Sequence, residues 1–374
     1  MKQNNSSILL VGGGTGGHAA PVLAVYRKIK EIDREAKVFV IGVGTKEERA
    51  FLGTIPNYIK IKTGKLNRYL TIKNLVELIK FVIGSIQSLY YIWKIKPSVV
   101  FSKGGYVSLP VINAARFFNI PYFLHESDIV MGKVNRLLAK NAKKTYVSFP
   151  LQFYKEVTSN KKIWSGPILR DGFSDAVSGG RKSFGFKNNN PIIFLTGGSQ
   201  GSLNMSKSII GVANKLLDNY NIIHQAGKHS YDLVMDFHNK LEKNKQANYY
   251  VTEMLVEKSG KDMMLEAINA ADLIITRASS TISELAIKAK PMVVVPWKYS
   301  AQDHQLKNAK FLEDHNSAIM ITDDSLGSES LFSVIKLLFS DKDKMKEMAS
   351  NASNLFPSNG VSMICEDIID EAKE

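Results

Sequence analysis

The stretch Ile8-Leu9-Leu10-Val11-Gly12-Gly13-Gly14-Thr15-Gly16-Gly17-His18 decides how this chain is read. Its plan returns half a chain later as Ile192-Ile193-Phe194-Leu195-Thr196-Gly197-Gly198-Ser199-Gln200-Gly201. Each copy is a short apolar run, a glycine turn, a small hydroxylated residue and then a helical pattern. Glycine lets the backbone turn with positive φ and lets a ligand approach the main chain. The helix that follows aims unpaired N–H groups at whatever sits there, usually an anion. One such loop is as well explained by a tight turn. Two of them suggest two α/β domains and a phosphate-bearing ligand.

Working outward, strands are expected near 7–12, 37–42, 58–62, 98–102, 121–125 and 145–148, with helices near 17–33, 72–95, 107–118 and 131–140. The second half repeats the alternation. Strands are expected near 191–196, 221–225, 248–251, 272–276, 291–295 and 317–321, with helices between and after them. This is the pattern of parallel, doubly wound sheets. The domains are expected at 1–165 and 166–355, with a helix in 356–374 whose acidic and apolar spacing suits docking on the first domain. The length, 374 residues with 44% apolar, supports two cores. The single cysteine, Cys365, excludes a disulfide framework and a cysteine metal site. No charged, then apolar, leader precedes the first strand.

The net charge of +14 is lopsided. Residues 1–165 hold 26 Lys/Arg against 9 Asp/Glu, a net +17, and the remainder 23 against 26, a net −3. A polyanionic partner for the first half follows: nucleic acid, an acidic membrane surface or a phosphorylated substrate. The stretch from Leu66 to Trp93 sets long aliphatics and aromatics among Lys73, Lys80 and Lys94. Lys80, Gly84 and Gln87 interrupt a run that reads as too short to span a bilayer. It reads either as a core helix or as one lying beside a membrane with its lysines on anionic headgroups.

Polar residues gather where strands are expected to end, which in open α/β sheets is the ligand crevice. They are Ser102-Lys103-Gly104-Gly105-Tyr106, His125-Glu126-Ser127-Asp128 with Asn135-Arg136, and Arg277, Thr281, Glu284, His304, Gln305 and Asn308. His18 and Glu126 are both candidates for a general base. Glu284, placed after a Ser/Thr-rich turn, reads as a capping box or as an acceptor of both ribose hydroxyls.

Taken in order, GGTGGH (13–18), GGYVS (104–108), HE (125–126), NRLLA (135–139), GGSQG (197–201), TISEL (281–285), HQ (304–305) and NA (308–309) resemble the MurG family of peptidoglycan N-acetylglucosaminyltransferases. The resemblance covers about residues 8–310. It implies a GT-B fold, with two Rossmann-like domains facing an interdomain cleft. It implies inverting transfer of N-acetylglucosamine from UDP-GlcNAc to lipid I at the cytoplasmic face of the plasma membrane, with no essential metal. It assigns donor contacts to Thr15, Gly16, Gly17, Asn135, Arg170, Gly198, Ser199, Gln200, Thr281, Glu284, His304 and Gln305. Met254 or Met264 falls to the uracil side. The catalytic pair is His18 and Glu126, and acceptor and membrane contacts fall to Gly104, Gly105, Tyr106, Lys73, Lys80 and Lys94. Other cell-wall synthesis proteins are possible partners. Three departures stand out: Gly166-Pro167-Ile168-Leu169-Arg170 with its proline moved, the shortened Arg277-Ala278-Ser279-Ser280-Thr281 turn, and an expanded 252–264 segment.

The alternatives differ in class. A diacylglycerol glycosyltransferase would share the fold. A nucleic-acid binder is disfavoured because the basic residues are mixed with long aliphatics rather than with stacking aromatics on strands. A nicotinamide-dependent oxidoreductase is disfavoured because the second strand closes Val40-Ile41-Gly42-Val43 without an acid.

Overall fold

The computed structural model describes residues 7–14, 16–64, 72–173 and 180–374, the side chains of 72–74 excepted. Thr15, Lys65, Arg68 and the Lys73 side chain lie outside that set. The chain forms two compact units: residues 1–172 with 357–374, and residues 173–356.

The first unit holds seven strands: β1 (Ser7–Val11), β2 (Lys37–Gly42), β3 (Tyr58–Lys60), β4 (Val99–Ser102), β5 (Tyr122–Glu126), β6 (Lys144–Val147) and β7 (Lys162–Trp164). They are all parallel, in the order β3-β2-β1-β4-β5-β6-β7. β1, β4 and β5, apolar but for Ser7, Ser102, His125 and Glu126 at their ends, are buried along their whole length, as a sheet covered on both faces requires. The covering helices are α1 (Gly16–Ile32), α2 (Lys46–Leu52), α3 (Ile72–Ile95), α4 (Ser108–Phe117) and α5 (Lys133–Ala139). This unit extends past Gly166 because the N–H groups of Ser165 and Gly166 bond to the Val147 carbonyl and Ile168 packs into its core.

The second unit follows the same plan. Its helices include α6 (Gly180–Ser183), α7 (Leu203–Leu216), α8 (Tyr231–Lys240), α9 (Lys243–Gln246), α10 (Met263–Ala270), α11 (Thr281–Ile287), α12 (His304–Asp314), α13 (Ser328–Ser340) and α14 (Lys342–Ser353). Its parallel sheet runs β10-β9-β8-β13-β14-β15. The strands are β8 (Ile192–Thr196), β9 (Asn221–Gln225), β10 (Tyr249–Thr252), β13 (Leu273–Thr276), β14 (Met292–Val294) and β15 (Ile319–Met320). The expanded 252–264 segment is a small hairpin, β11 (Glu257–Lys258) against β12 (Lys261–Asp262). Its two-residue turn puts Ser259 and Gly260 at positive φ, as a tight hairpin demands.

Helix α3 corrects the length argument. Its 24 residues span about 36 Å at 1.5 Å each, and Leu75–Ile95 is long and apolar enough to cross a membrane. Gly84 and Gln87 are packing residues. A Cβ on Gly84 would lie 1.9 Å from the Lys62 carbonyl, and Gln87 Oε1 accepts the Lys62 N–H at 2.7 Å. Gly84, Ser88 and Ile92, four residues apart, form the buried stripe. The rest of the helix leaves Leu75, Ile79, Ile86 and Trp93 each more than half exposed.

The chain ends with α15 (Gly360–Lys373), which lies on α1 and the first sheet. Ile364, Cys365, Ile368 and Ile369 join that core. Lys144 pairs with Asp367 at 2.6 Å, the Tyr146 hydroxyl donates to Asp367, and Lys143 pairs with Glu371. Removing a buried isoleucine costs about 2–5 kcal/mol. Ile368→Ala should therefore lower unfolding free energy by that amount in urea titrations, and Leu337→Ala, half exposed on α13, by under about 0.5 kcal/mol. Equal effects would contradict this packing.

Candidate active site

In the first unit, three parallel strands, β1, β4 and β5, deliver their following loops to one rim. The turn after β1 places Gly14 at positive φ against Tyr106; a Cβ there would lie 2.7 Å from the Tyr106 ring. His18, on the first turn of α1, is half-buried beside Gly105. A Cβ on Gly105 would sit 3.2 Å from His18 Nδ1, so the open backbone of the GGYVS loop is what admits the imidazole. The Gly13 carbonyl lies beside the His18 ring and acts to raise its pKa. One nitrogen of the neutral ring is an acceptor. Burial, and next the Lys103 ammonium, lower the His18 pKa to about 4.

The HE pair splits by strand alternation. His125 turns into the core, where its Nε2–H donates to the Gly166 carbonyl at 3.1 Å, and burial holds it neutral. Glu126 faces the rim but is itself buried. Its Oε1 accepts the N–H groups of Ser127 (2.8 Å) and Asp128 (3.1 Å), and its Oε2 those of Gly132 and the Asn135 amide, both at 2.9 Å. Burial, then the Asp128 carboxylate, push its pKa up, and the Lys103 ammonium and the loop N–H groups act against that. The buried Lys103 donates to the Ser127 hydroxyl. Asn135 spends its amide hydrogens on Glu126 and the His125 carbonyl. Arg170 is half-buried near the end of the first unit.

The second unit builds a different rim. Gly198 has positive φ and open space where a Cβ would go, whereas one on Gly201 would lie 2.2 Å from the Ala226 carbonyl. The Ser199 and Gln200 carbonyls accept the N–H groups of Lys228 and His229. Ser202 caps α7. One guanidinium ties these loops together. Arg277 donates to the Ser202 hydroxyl (2.7 Å), the Val295 carbonyl (3.1 Å) and Asp323 (2.9 Å). Ser280, the N-cap of α11, makes no side-chain capping bond, so Glu284, buried on that helix beside Thr281, is not half of a capping box with it. His304 Nδ1–H donates to the Ala301 carbonyl at 2.8 Å. Gln305 Oε1 accepts the Trp297 N–H at 3.0 Å. Gln302 and Asp303, just before them, both hold positive φ. Met254 is half-buried after β10, and Met264 is buried on the first turn of α10.

The structure thus gathers His18, Gly104, Gly105, Tyr106, Glu126 and Asn135 on one rim, and Gly198, Ser199, Gln200, Thr281, Glu284, His304 and Gln305 on the other unit's loops. Sequence reasoning missed Glu48, fully buried beneath the first glycine turn, and the Gly227-Lys228-His229 loop. The signal for the latter was a glycine followed by basic residues after an apolar strand.

Two parallel α/β units, each with a glycine loop opening a helix, are the frame of a GT-B glycosyltransferase. The glycosyltransferase family 28 N-terminal domain matches residues 8–147 and the family 28 C-terminal domain residues 192–363. The UDP-N-acetylglucosamine–N-acetylmuramyl-(pentapeptide) pyrophosphoryl-undecaprenol N-acetylglucosamine transferase of Clostridium kluyveri is 34% identical over 350 residues, 91% of this chain and 95% of that protein. Its namesake from Borreliella afzelii is 30% identical over 375 residues, 99% of this chain and 98% of its own. The crystal structure of Acinetobacter baumannii MurG superposes with a TM-score of 0.69 at 24% identity, covering 98% of this chain and 99% of that one. A UDP-N-acetylglucosamine 2-epimerase gives 0.68 at 14% identity, covering 97% and 95%, so the fold alone does not choose the reaction. The chain belongs to glycosyltransferase family 28, in its MurG branch.

The electrostatics of the first rim give a direct test. In an NMR titration, the His18 ring should titrate near 4, and Lys103→Met should move its midpoint upward by removing a nearby positive charge. A midpoint at the ordinary value of 6.5 in both proteins would contradict this environment.

Proposed function

We propose that the protein transfers N-acetylglucosamine from UDP-GlcNAc to the muramoyl 4-hydroxyl of lipid I, giving lipid II, with inversion at the anomeric carbon. The observation that carries this is identity of 30–34% with transferases of that name over more than nine-tenths of the chain. The loop geometry of both units supports it.

On this reading the second unit holds the donor. Glu284 accepts the ribose hydroxyls, and the Gly198-Ser199-Gln200 turn meets the diphosphate at the start of α7. His304 and Gln305 hold the sugar, Thr281 helps at the phosphate, and Met254 lies on the uracil side. With Nδ1 and Oε1 occupied, His304 offers an accepting Nε2 and Gln305 a donating amide. Gly16, Gly17 and Arg170 complete the donor contacts, with Thr15 assigned there by motif alone. Asn135 enters through Glu126, whose loop it fixes.

The first unit handles the acceptor through Gly104, Gly105 and Tyr106. As the acceptor oxygen attacks the anomeric carbon, its proton passes to the free nitrogen of His18, and UDP departs from the opposite face. A ring that is neutral at pH 7 can accept that proton. Glu126, with both oxygens already engaged by four N–H donors, orders the neighbouring loop. The exposed apolar face of α3, with Lys80 and Lys94 beside it, rests on an anionic membrane. We place the enzyme peripherally on the cytoplasmic face of the plasma membrane, where other cell-wall synthesis proteins are candidate partners.

The assignment is tested by offering UDP-GlcNAc with either a short-chain lipid I analogue or diacylglycerol. Transfer is expected only to the first; transfer to diacylglycerol alone would overturn the reading. Glu284→Ala should raise the UDP-GlcNAc KM about ten- to a hundredfold, the equivalent of losing about 1.5–3 kcal/mol of charge-assisted hydrogen bonding; unchanged UDP binding would remove the ribose role. His18→Ala should lower kcat by at least about a hundredfold with donor affinity retained. In wild type, kcat/KM should fall as pH drops through about 4, because the protonated ring cannot accept a proton, and the variant should lose that limb. Retention of both rate and limb would move the base to Glu126. Replacing Lys73, Lys80 and Lys94 with Glu removes about 1 kcal/mol of attraction per cation. Sedimentation with anionic vesicles should weaken while turnover of a soluble acceptor persists; unchanged sedimentation would place the membrane face elsewhere.

A further inference from the structure

Helix α2 opens on Thr45-Lys46-Glu47-Glu48, the spacing of a capping box. In that motif the hydroxyl takes the N–H three residues on, and the carboxylate returns to the cap's own N–H. Only the first half forms here: Thr45 Oγ1 accepts the Glu48 N–H at 3.2 Å. The Glu48 carboxylate turns inward and is fully buried. Its Oε2 accepts the Gly14 N–H at 2.9 Å. Its Oε1 accepts the Val43 N–H at 2.9 Å and the Tyr58 hydroxyl at 2.6 Å.

The surrounding backbone is cleared for this group. A Cβ on Gly13 would lie 2.5 Å from Oε2, and one on Gly42 1.7 Å from Oε1. The opposite side of Gly14 is covered by Tyr106. The first glycine turn is therefore clamped between a carboxylate and a phenol ring. Gly13, in the middle of that turn, is the residue whose carbonyl faces the His18 ring: a Cβ on Gly105 would meet His18 Nδ1 at 3.2 Å and the Gly13 carbonyl at 3.4 Å, and that carbonyl acts to raise the His18 pKa. The two glycine loops, alike in sequence, thus differ in backing. The N–H of Gly14 is already spent on a carboxylate and is not offered to a phosphate.

We propose that Glu48 is the positioning residue of the His18 loop: by pinning Gly14 it aims the Gly13 carbonyl at the imidazole, fixes one tautomer, and leaves the second ring nitrogen open to the acceptor hydroxyl. This rests on the reading of His18 as the base. The carboxylate acts through the loop and touches no substrate.

Glu48→Gln tests it with almost no change of shape. Three donors converge on two carboxylate oxygens, and an amide has one oxygen. Its NH2 must face either Gly14 or the Val43–Tyr58 pair, and the turn is released. We expect kcat to fall on the order of ten- to a hundredfold, as for a small misplacement of a reacting group, with the UDP-GlcNAc KM moving less than kcat, because Glu284, His304, Gln305 and the 198–200 turn lie in the other unit and only the Thr15–Gly17 contacts share the released loop. With 15N-labelled histidine, the His18 ring, assigned by its loss in His18→Ala, should change from one N–H tautomer to a mixture. In the His18→Ala background, Glu48→Gln should cost nothing further. Glu48→Asp, which keeps the charge but withdraws the oxygens, should give the same ring signature and serves if the amide variant does not fold. An unchanged tautomer, or an equal loss of kcat in wild-type and His18→Ala backgrounds, overturns the proposal while leaving His18 as the base. Full kcat in His18→Ala alone is a separate failure: it removes the base reading and this proposal with it.

Discussion

A buried carboxylate must collect hydrogen bonds or give up its charge. The first unit is organised around two that collect. Glu126 gathers three backbone N–H groups and the Asn135 amide. Glu48 gathers two backbone N–H groups and a phenol. Neither sits on a long regular element; each draws the loop at a strand end into one conformation. The His18 ring lies beside Gly105 and within electrostatic reach of both turns, through the Gly13 carbonyl and Asp128. The positive charge of Lys103 beside it favours the neutral imidazole. The chemistry proposed for His18 depends on this arrangement more than on the histidine itself.

The second unit inverts the device. Its central buried ion is a cation, Arg277, which spans the cap of α7, the end of β14 and Asp323. Asp323 in turn accepts the Lys298 N–H, which brings the loop ahead of His304 and Gln305 into the same network. The loop proposed to meet a diphosphate therefore has a guanidinium behind it, whereas the loop beside His18 has a carboxylate behind it. Two similar glycine turns acquire opposite backing, a guanidinium for one and a carboxylate for the other.

Much of this was legible in the residues. Fully buried parallel strands betray themselves as unbroken apolar runs, so both sheets and the loops at their ends followed from pattern. What escaped was tertiary. Helix α2 has seven residues and little apolar periodicity, so nothing in the pattern marked Glu48 as buried. Asn135 carried a ligand assignment, but only the fold shows its amide spent on Glu126. Gly84 and Gln87 looked like breaks in an apolar run and are contacts with the segment after β3. The 252–264 expansion gave no strand signal because two-residue strands are too short to alternate; its Ser259-Gly260 turn was the only cue.

The division of labour between the units is the centre of this account, and amide hydrogen exchange with and without saturating UDP tests it most directly. Protection should appear in residues 197–202 and 277–308, with amides 12–14 and 104–108 unchanged. Protection concentrated in the first glycine turn, with the 197–202 loop unaffected, would contradict it.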